Sequence, residues 1–177
     1  MMQCEEAVAL GILGIGHDVV DVRAFGEQLA EPGSRMRALF SARELRQARM
    51  RAELKHDGES VHLAGKWAAK ESVVKAWCAA LGGGSAPYTL DNTPWSGIEI
   101  LGDARGVPHV LLQAGVHAEL VRSLACPVHP LRAQGVCAAD AMPAGAAACT
   151  DGGLRWHLSI SHDGPIASAV AVLERAE

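Results

Sequence analysis

Residues 60–81 read SVHLAGKWAAKESVVKAWCAAL. Leu63, Trp67, Val74, Cys78 and Leu81 recur at the spacing of one helix face, and Gly82, Gly83 and Gly84 stop the run, so this stretch predicts a long helix. Glu71 and Lys75, four apart, share a stripe beside that apolar face, and small Ala64 and Ala68 on the same stripe are expected to leave room for a ligand. The chain has twelve arginines and only four lysines, yet Lys66, Lys70 and Lys75 fall within this one segment. Such a concentration of point charges suits phosphate binding.

On the N-terminal side, residues 11–22 (GILGIGHDVVDV) are rich in Ile and Val and predict a strand, although three glycines weaken its propensity. Alternation places Ile12, Asp18, Val20 and Val22 on one face. An aspartate on an apolar face is costly to bury unless a cation satisfies it. Helices are expected at 24–31 and 41–55, the second opened by Ser41 with Glu44 three positions on, a capping-box pattern. On the C-terminal side, strands at 97–102 and 109–113 flank a turn, which predicts a hairpin, and a short helix follows at 116–124. The stretch 125–153 is rich in Ala, Gly, Pro and Cys without periodicity and reads as a long mobile loop. A last hairpin runs from Trp156 through the Asp163-Gly164 turn to Leu173. Helices interleaved with antiparallel hairpins give an α+β fold, with a long central helix packed on antiparallel strands.

Composition narrows the function. With 177 residues and 49% hydrophobic content the chain holds one sizeable core, so residues 1–177 are expected to form a single domain. A net charge of −4 argues against a nucleic-acid binder. The apolar run Ala7–Gly16 is too short to cross a bilayer, so no membrane association is expected. Five cysteines without paired short spacings indicate neither a disulfide framework nor a CxxC zinc site, and a reducing cytoplasm fits.

Asp18, the group Lys70-Glu71 with Lys75, and Ser161-His162 carry the chemistry. Taken singly, each has an ordinary reading: a surface ion pair worth about 0.3–0.5 kcal/mol for Glu71 and Lys75, a strand-end acid for Asp18, a satisfied histidine beside a turn for His162. Together, two carboxylates and several lysines suit Mg²⁺, which takes one or two protein carboxylates and completes its octahedron with phosphate oxygens and water.

Gly14-Ile15-Gly16-His17-Asp18-Val19-Val20, Phe40-Ser41-Ala42-Arg43-Glu44, and the run His62 to Ala76 with Lys66-Trp67-Ala68-Ala69-Lys70-Glu71 inside it resemble, in order and spacing, the signature segments of the small holo-acyl-carrier-protein synthases. Ile98-Glu99-Ile100 with Gly106-Val107-Pro108, and Leu158 to Asp163, resemble that family's two later blocks. The resemblance implies the 4′-phosphopantetheinyl transferase fold and transfer of 4′-phosphopantetheine from coenzyme A to a carrier-protein serine. It implies Asp18 and Glu71 as Mg²⁺ ligands, Lys75 on the phosphates, Lys66 on coenzyme A, and Ser161 and His162 at its nucleotide end. The serine would attack the β-phosphorus and 3′,5′-ADP would leave, with Glu71 and a metal-bound water both open as acceptors of the serine proton. An acidic acyl carrier protein, of fatty-acid, polyketide or peptide synthesis, is the implied partner, with Arg23, Arg35 and Arg37 as docking residues. A homotrimer with coenzyme A between neighbours is also implied.

Departures from the family pattern are His17, where an apolar residue or threonine is common; Lys66, where arginine is common; and the length of 125–153, whose Cys126, His129, Cys137 and Cys149 raise a zinc site as a lesser alternative. Other functions compatible with the residues are a Mg²⁺-dependent nucleotide hydrolase and a non-catalytic subunit binding coenzyme A or a carrier. Against the hydrolase, the glycines at 11, 14 and 16 fit neither the GxGxxG nor the P-loop pattern.

Overall fold

In the computed structural model, residues 11–125 and 153–175 are described. The long segment forms α3 (Glu59–Ala80), preceded by β1 (Gly11–Asp21), α1 (Val22–Ala30), a 3₁₀ turn at Met36–Leu39 and α2 (Ala42–Lys55). A second 3₁₀ turn at Trp95–Gly97 leads into β2 (Ile98–Gly102), and β3 (Pro108–Leu112), α4 (Ala114–Leu124), β4 (Leu154–Asp163) and β5 (Ile166–Arg175) follow. The strands form an antiparallel sheet in the order β1-β5-β4 and the separate hairpin β2-β3. The expected α+β architecture, a central helix on antiparallel strands, is therefore the one observed. Of the loop expected at 125–153, all but its two end residues lie outside the described residues, as do the four residues of the zinc alternative.

The glycines of β1 owe their place to α3. A Cβ at Gly14 would lie 2.1 Å from the Ala76 carbonyl oxygen, and one at Gly16 would lie 1.9 Å from that of Ser72, so the strand backbone rests directly on the helix. Small residues repeat this on β5, where Ala167, Ala169 and Ala171 face inward and are buried. The side-chain alternation expected of β1 breaks at a bulge between Ile12 and Gly14. Leu13 turns to the core there, and Ile12, expected to share a face with Asp18, is 65% exposed.

The helix α3 is buried nearly all round rather than along one stripe. Leu63, Val73 and Trp77 are in the core, Val74 is only half-buried, and Cys78 is exposed. Ala64 and Ala68 are fully packed and leave no space for a ligand, contrary to the expectation. Two lysines lie on the buried surface as well. Lys70 Nζ donates to Glu44 Oε2 (2.9 Å), to the Trp95 carbonyl (2.7 Å) and to the Ile98 carbonyl, so all three ammonium donors are used. Glu44 closes the capping box with Ser41 as expected, and it also accepts from the Ile100 N–H at 3.0 Å. One carboxylate thus caps α2, neutralises Lys70 and holds β2.

Candidate active site

Asp18 reaches the end of β1 where the glycines bring the strand against α3, and it is 92% buried by its 8% exposure. Lys75, on the facing side of α3, donates to Asp18 Oδ1 at 2.6 Å and to the His17 carbonyl at 3.2 Å. With the carboxylates ionised, no donor reaches the buried Oδ2 of Asp18. Glu71, one turn before Lys75, sits beside it. Burial, then the negative charge of Asp18 and hydrogen bonding to it, push the Glu71 carboxyl up to about 7, against the opposing pull of Lys75. Near neutral pH Glu71 is therefore partly protonated, and the place of that proton is one a divalent cation can take. Among the described residues no cluster of three or more His, Cys, Asp or Glu is gathered. Two carboxylates without further protein ligands match Mg²⁺ better than zinc or calcium. Asp18 and Glu71 also line a groove of about 440 Å³ whose apolar wall includes Val20, Phe25, Met36, Leu39 and Trp67.

Lys66 lies elsewhere. Five positions from Glu71 on the same helix, it points about 140° away around the axis, toward α2 and β2. Its Nζ donates to Gln47 Oε1 (2.9 Å) and to the Ile100 carbonyl (2.5 Å). Burial lowers its pKa to about 8, with the positive charges of Lys70 and Arg51 adding to the fall and Glu44 opposing it. It lines a second cleft of about 210 Å³, together with His162, Arg51, Lys55 and His62. The His62 and His162 rings meet edge to face at 6.2 Å, and His62 Nε2 is 2.7 Å from Asp57 Oδ1.

Ser161 and His162 are adjacent on β4 and point to opposite faces. Ser161 is paired across the sheet with Ser168, whose hydroxyl contacts His17 Nε2 at 3.0 Å, so it lies on the open face of the sheet. That face is apolar along its middle, with Ile15 57%, Val19 51% and Val170 38% exposed. Of the three arginines expected to dock a carrier, Arg23 is paired with Glu27 (2.9 Å) and Arg37 is held bidentate by Glu59 (2.7 and 3.3 Å). Arg35 is exposed and makes no side-chain pair among the described residues. Sequence reasoning passed over Arg51 and His62. Arg51 is the last of six arginines between residues 35 and 51, where charge alone does not separate a cleft residue from a solvated one, and His62 stands in the first turn of the long helix with no cue beyond its place there.

Comparison with known proteins places this geometry. The model of the 4′-phosphopantetheinyl transferase superfamily matches residues 14–129. The holo-[acyl-carrier-protein] synthase of Bifidobacterium animalis subsp. lactis is 57% identical over 169 residues, which cover 94% of this chain and 100% of that protein. The enzyme of the same name from Bifidobacterium adolescentis is 49% identical, covering 92% and 99%. Among solved structures, the complex described as Chronobacterium ammoniagenes ACPS-CoA superposes with a TM-score of 0.69 at 31% identity, over 93% of this chain and 98% of that one. The chain belongs to the 4′-phosphopantetheinyl transferase superfamily, among its holo-[acyl-carrier-protein] synthases.

Proposed function

We propose that this chain transfers the 4′-phosphopantetheine arm of coenzyme A to a serine of an apo acyl carrier protein, in a Mg²⁺-dependent reaction. The observation that carries the reading is the Asp18 carboxylate, whose Oδ2 is buried without a donor beside Glu71 while Lys75 holds Oδ1. Asp18 and Glu71 would hold Mg²⁺, which would supply charge neutralisation at the pyrophosphate. Lys75, anchored on Asp18 and the His17 carbonyl, has one donor left to turn toward a phosphate oxygen, where transfer depends on positioning and charge stabilisation. Glu71, the carboxyl nearest neutrality, is our candidate to take the serine proton at a carboxylate oxygen. The serine oxygen bonds to the β-phosphorus, and 3′,5′-ADP departs with the electrons of the broken P–O bond.

In this reading the cleft of Lys66 and His162 takes the nucleotide end of coenzyme A. That cleft and the Asp18–Glu71 pair lie on different sides of α3, and the open sheet face is apolar. Both observations support a homotrimer in which neighbours share one coenzyme A, with Ser161 on the self-associating face. The acidic carrier would dock by Arg23, Arg35 and Arg37, of which Arg35 has its charge free. Residues 1–177 are treated as one transferase domain carrying an insertion at 125–153. No helix among the described residues is long and apolar enough to cross a membrane, and we place the enzyme in the cytoplasm. Incubation with Mg²⁺, coenzyme A and a panel of apo carriers should add about 340 Da, the mass of the arm, to at least one carrier. No mass gain on any of them would refute the transferase reading.

A further inference from the structure

The cleft lined by Lys66 carries a concentration of positive charge that its own walls do not neutralise. Arg51, Lys55 and Lys66 line it beside the imidazoles of His62 and His162, and no carboxylate is among its lining residues. The cations are not equivalent. Lys66, the residue the family pattern assigns to coenzyme A, has two of its three donors engaged by Gln47 and the Ile100 carbonyl. Arg51, on the last turns of α2, is half-buried, and its guanidinium makes no hydrogen bond or ion pair among the described residues. The one carboxylate of the neighbouring β2-β3 turn, Asp103, is occupied by the backbone N–H groups of Arg105 and Val107 at 2.8 and 2.9 Å and by the Arg105 side chain.

What holds Arg51 is backbone. A Cβ at Gly106 would lie 2.9 Å from Arg51 Nη2 and 3.2 Å from Nη1, and Gly106 itself adopts φ +88°. A glycine in a left-handed turn thus lets a guanidinium lie against the hairpin without a polar partner, with its fork of donors still available. A half-buried, unpaired guanidinium is costly to keep, and a dianionic phosphate monoester is the ligand class that the fork fits in two-point fashion.

We infer that Arg51, supported by Gly106, binds the 3′-phosphate of coenzyme A and is the residue by which the enzyme tells coenzyme A from its 3′-dephospho form. This deepens the proposed function and rests on its placement of the nucleotide end in this cleft. Lys66 then serves to shape the wall and set the potential, while the charge-assisted, bidentate contact comes from α2.

The test is calorimetric titration of the full-length protein in Mg²⁺ with coenzyme A and with 3′-dephospho-coenzyme A, for the wild type, Arg51→Gln and Arg51→Lys. The wild type should bind coenzyme A roughly ten- to a hundred-fold more tightly than the dephospho form, the range expected of a charge-assisted bidentate contact. Arg51→Gln should bring that ratio within about three-fold with its affinity for the dephospho form kept, and Arg51→Lys should fall between, because it keeps the charge and loses the fork. Equal weakening of both ligands by Arg51→Gln, an undiminished ratio in Arg51→Lys and Arg51→Gln, or a wild type that binds the two ligands equally or not at all would overturn the assignment. Turnover is scored separately. Tight, discriminating binding without transfer to any carrier defeats the transferase reading alone, and transfer with an unchanged ratio in Arg51→Gln defeats the Arg51 assignment alone.

Discussion

Lys75 Nζ and Asp18 Oδ1 are 2.6 Å apart, joining the last turns of α3 to β1 across 57 residues of sequence. The contact exists because Gly14 and Gly16 let the strand backbone touch the helix. Lys75 is half-exposed whereas Asp18 is buried, so the ammonium both satisfies the carboxylate and stays open on its solvent side. Its value lies in fixing the ammonium where phosphate charge develops. Lys75→Ala should lower kcat by about 10²–10³-fold, the usual loss for one charge-stabilising donor, and, by leaving the buried Asp18 carboxylate without its cation, should also lower the unfolding midpoint. Steady-state transfer assays together with thermal melts check both halves.

The Glu71 carboxyl, raised to about 7, gives the protein a signature in pH. A folded-state pKa above the unfolded value means that the native state binds the proton more tightly between roughly pH 4.5 and 7. Metal-free stability contributed by this group is full below that window and is lost as pH rises through it. Mg²⁺ competes with the same proton, so its apparent affinity should fall by up to about tenfold per unit below pH 7 and level off above. Melting curves with and without Mg²⁺ from pH 5.5 to 8.5 should diverge as pH rises, and Glu71→Gln should abolish the divergence.

The close approach of β1 and α3 predicts opposite outcomes for two glycines. Gly16→Ala puts a methyl 1.9 Å from the Ser72 carbonyl oxygen, a backbone atom that cannot swing aside. It should destabilise by about 3 kcal/mol or more, at the top of the overpacking range. Gly26→Ala, in α1, meets only the Ser60 side chain at 3.4 Å and should stabilise by about 0.5 kcal/mol through helix propensity. Urea unfolding of the two variants measures the contrast.

Much of this architecture was legible because it is local. The capping box of Ser41 and Glu44 and the glycine stop after α3 each lie within a few residues and stand where periodicity and turn chemistry put them, and the last hairpin turns on Gly164-Pro165, one residue beyond the expected Asp163-Gly164. What was not legible is set by partners distant in sequence. Lys66 and Lys70 belong to the lysine cluster that suited phosphate binding, yet the carbonyls that bury them come from residues 95–100, and Lys70 has no donor left for a phosphate. Glycines that weaken a strand in isolation turn out to be its contact surface. Arg51 is one arginine among several on α2 until the Gly106 turn is folded against it.

Glu44 and Lys70 are both fully buried, 2.9 Å apart. Lys70→Met removes the cation and leaves the Glu44 carboxylate inside with its Ser41 and Ile100 N–H donors but no counter-charge, which should cost about 3–5 kcal/mol. Glu44→Gln in the same background removes the stranded charge while keeping an oxygen for one of those N–H groups, so the double variant should be more stable than Lys70→Met alone. Denaturant unfolding of the two single variants and the double gives the coupling energy. An additive double variant would mean that the pair is not coupled and that the α2-to-β2 junction is held by the backbone hydrogen bonds alone. The same series bears on activity, because Glu71 follows Lys70 directly on α3. If the buried pair fixes the rotation of the helix, Lys70→Met should weaken Mg²⁺ binding although Lys70 touches none of the proposed ligands, and the double variant should restore part of it.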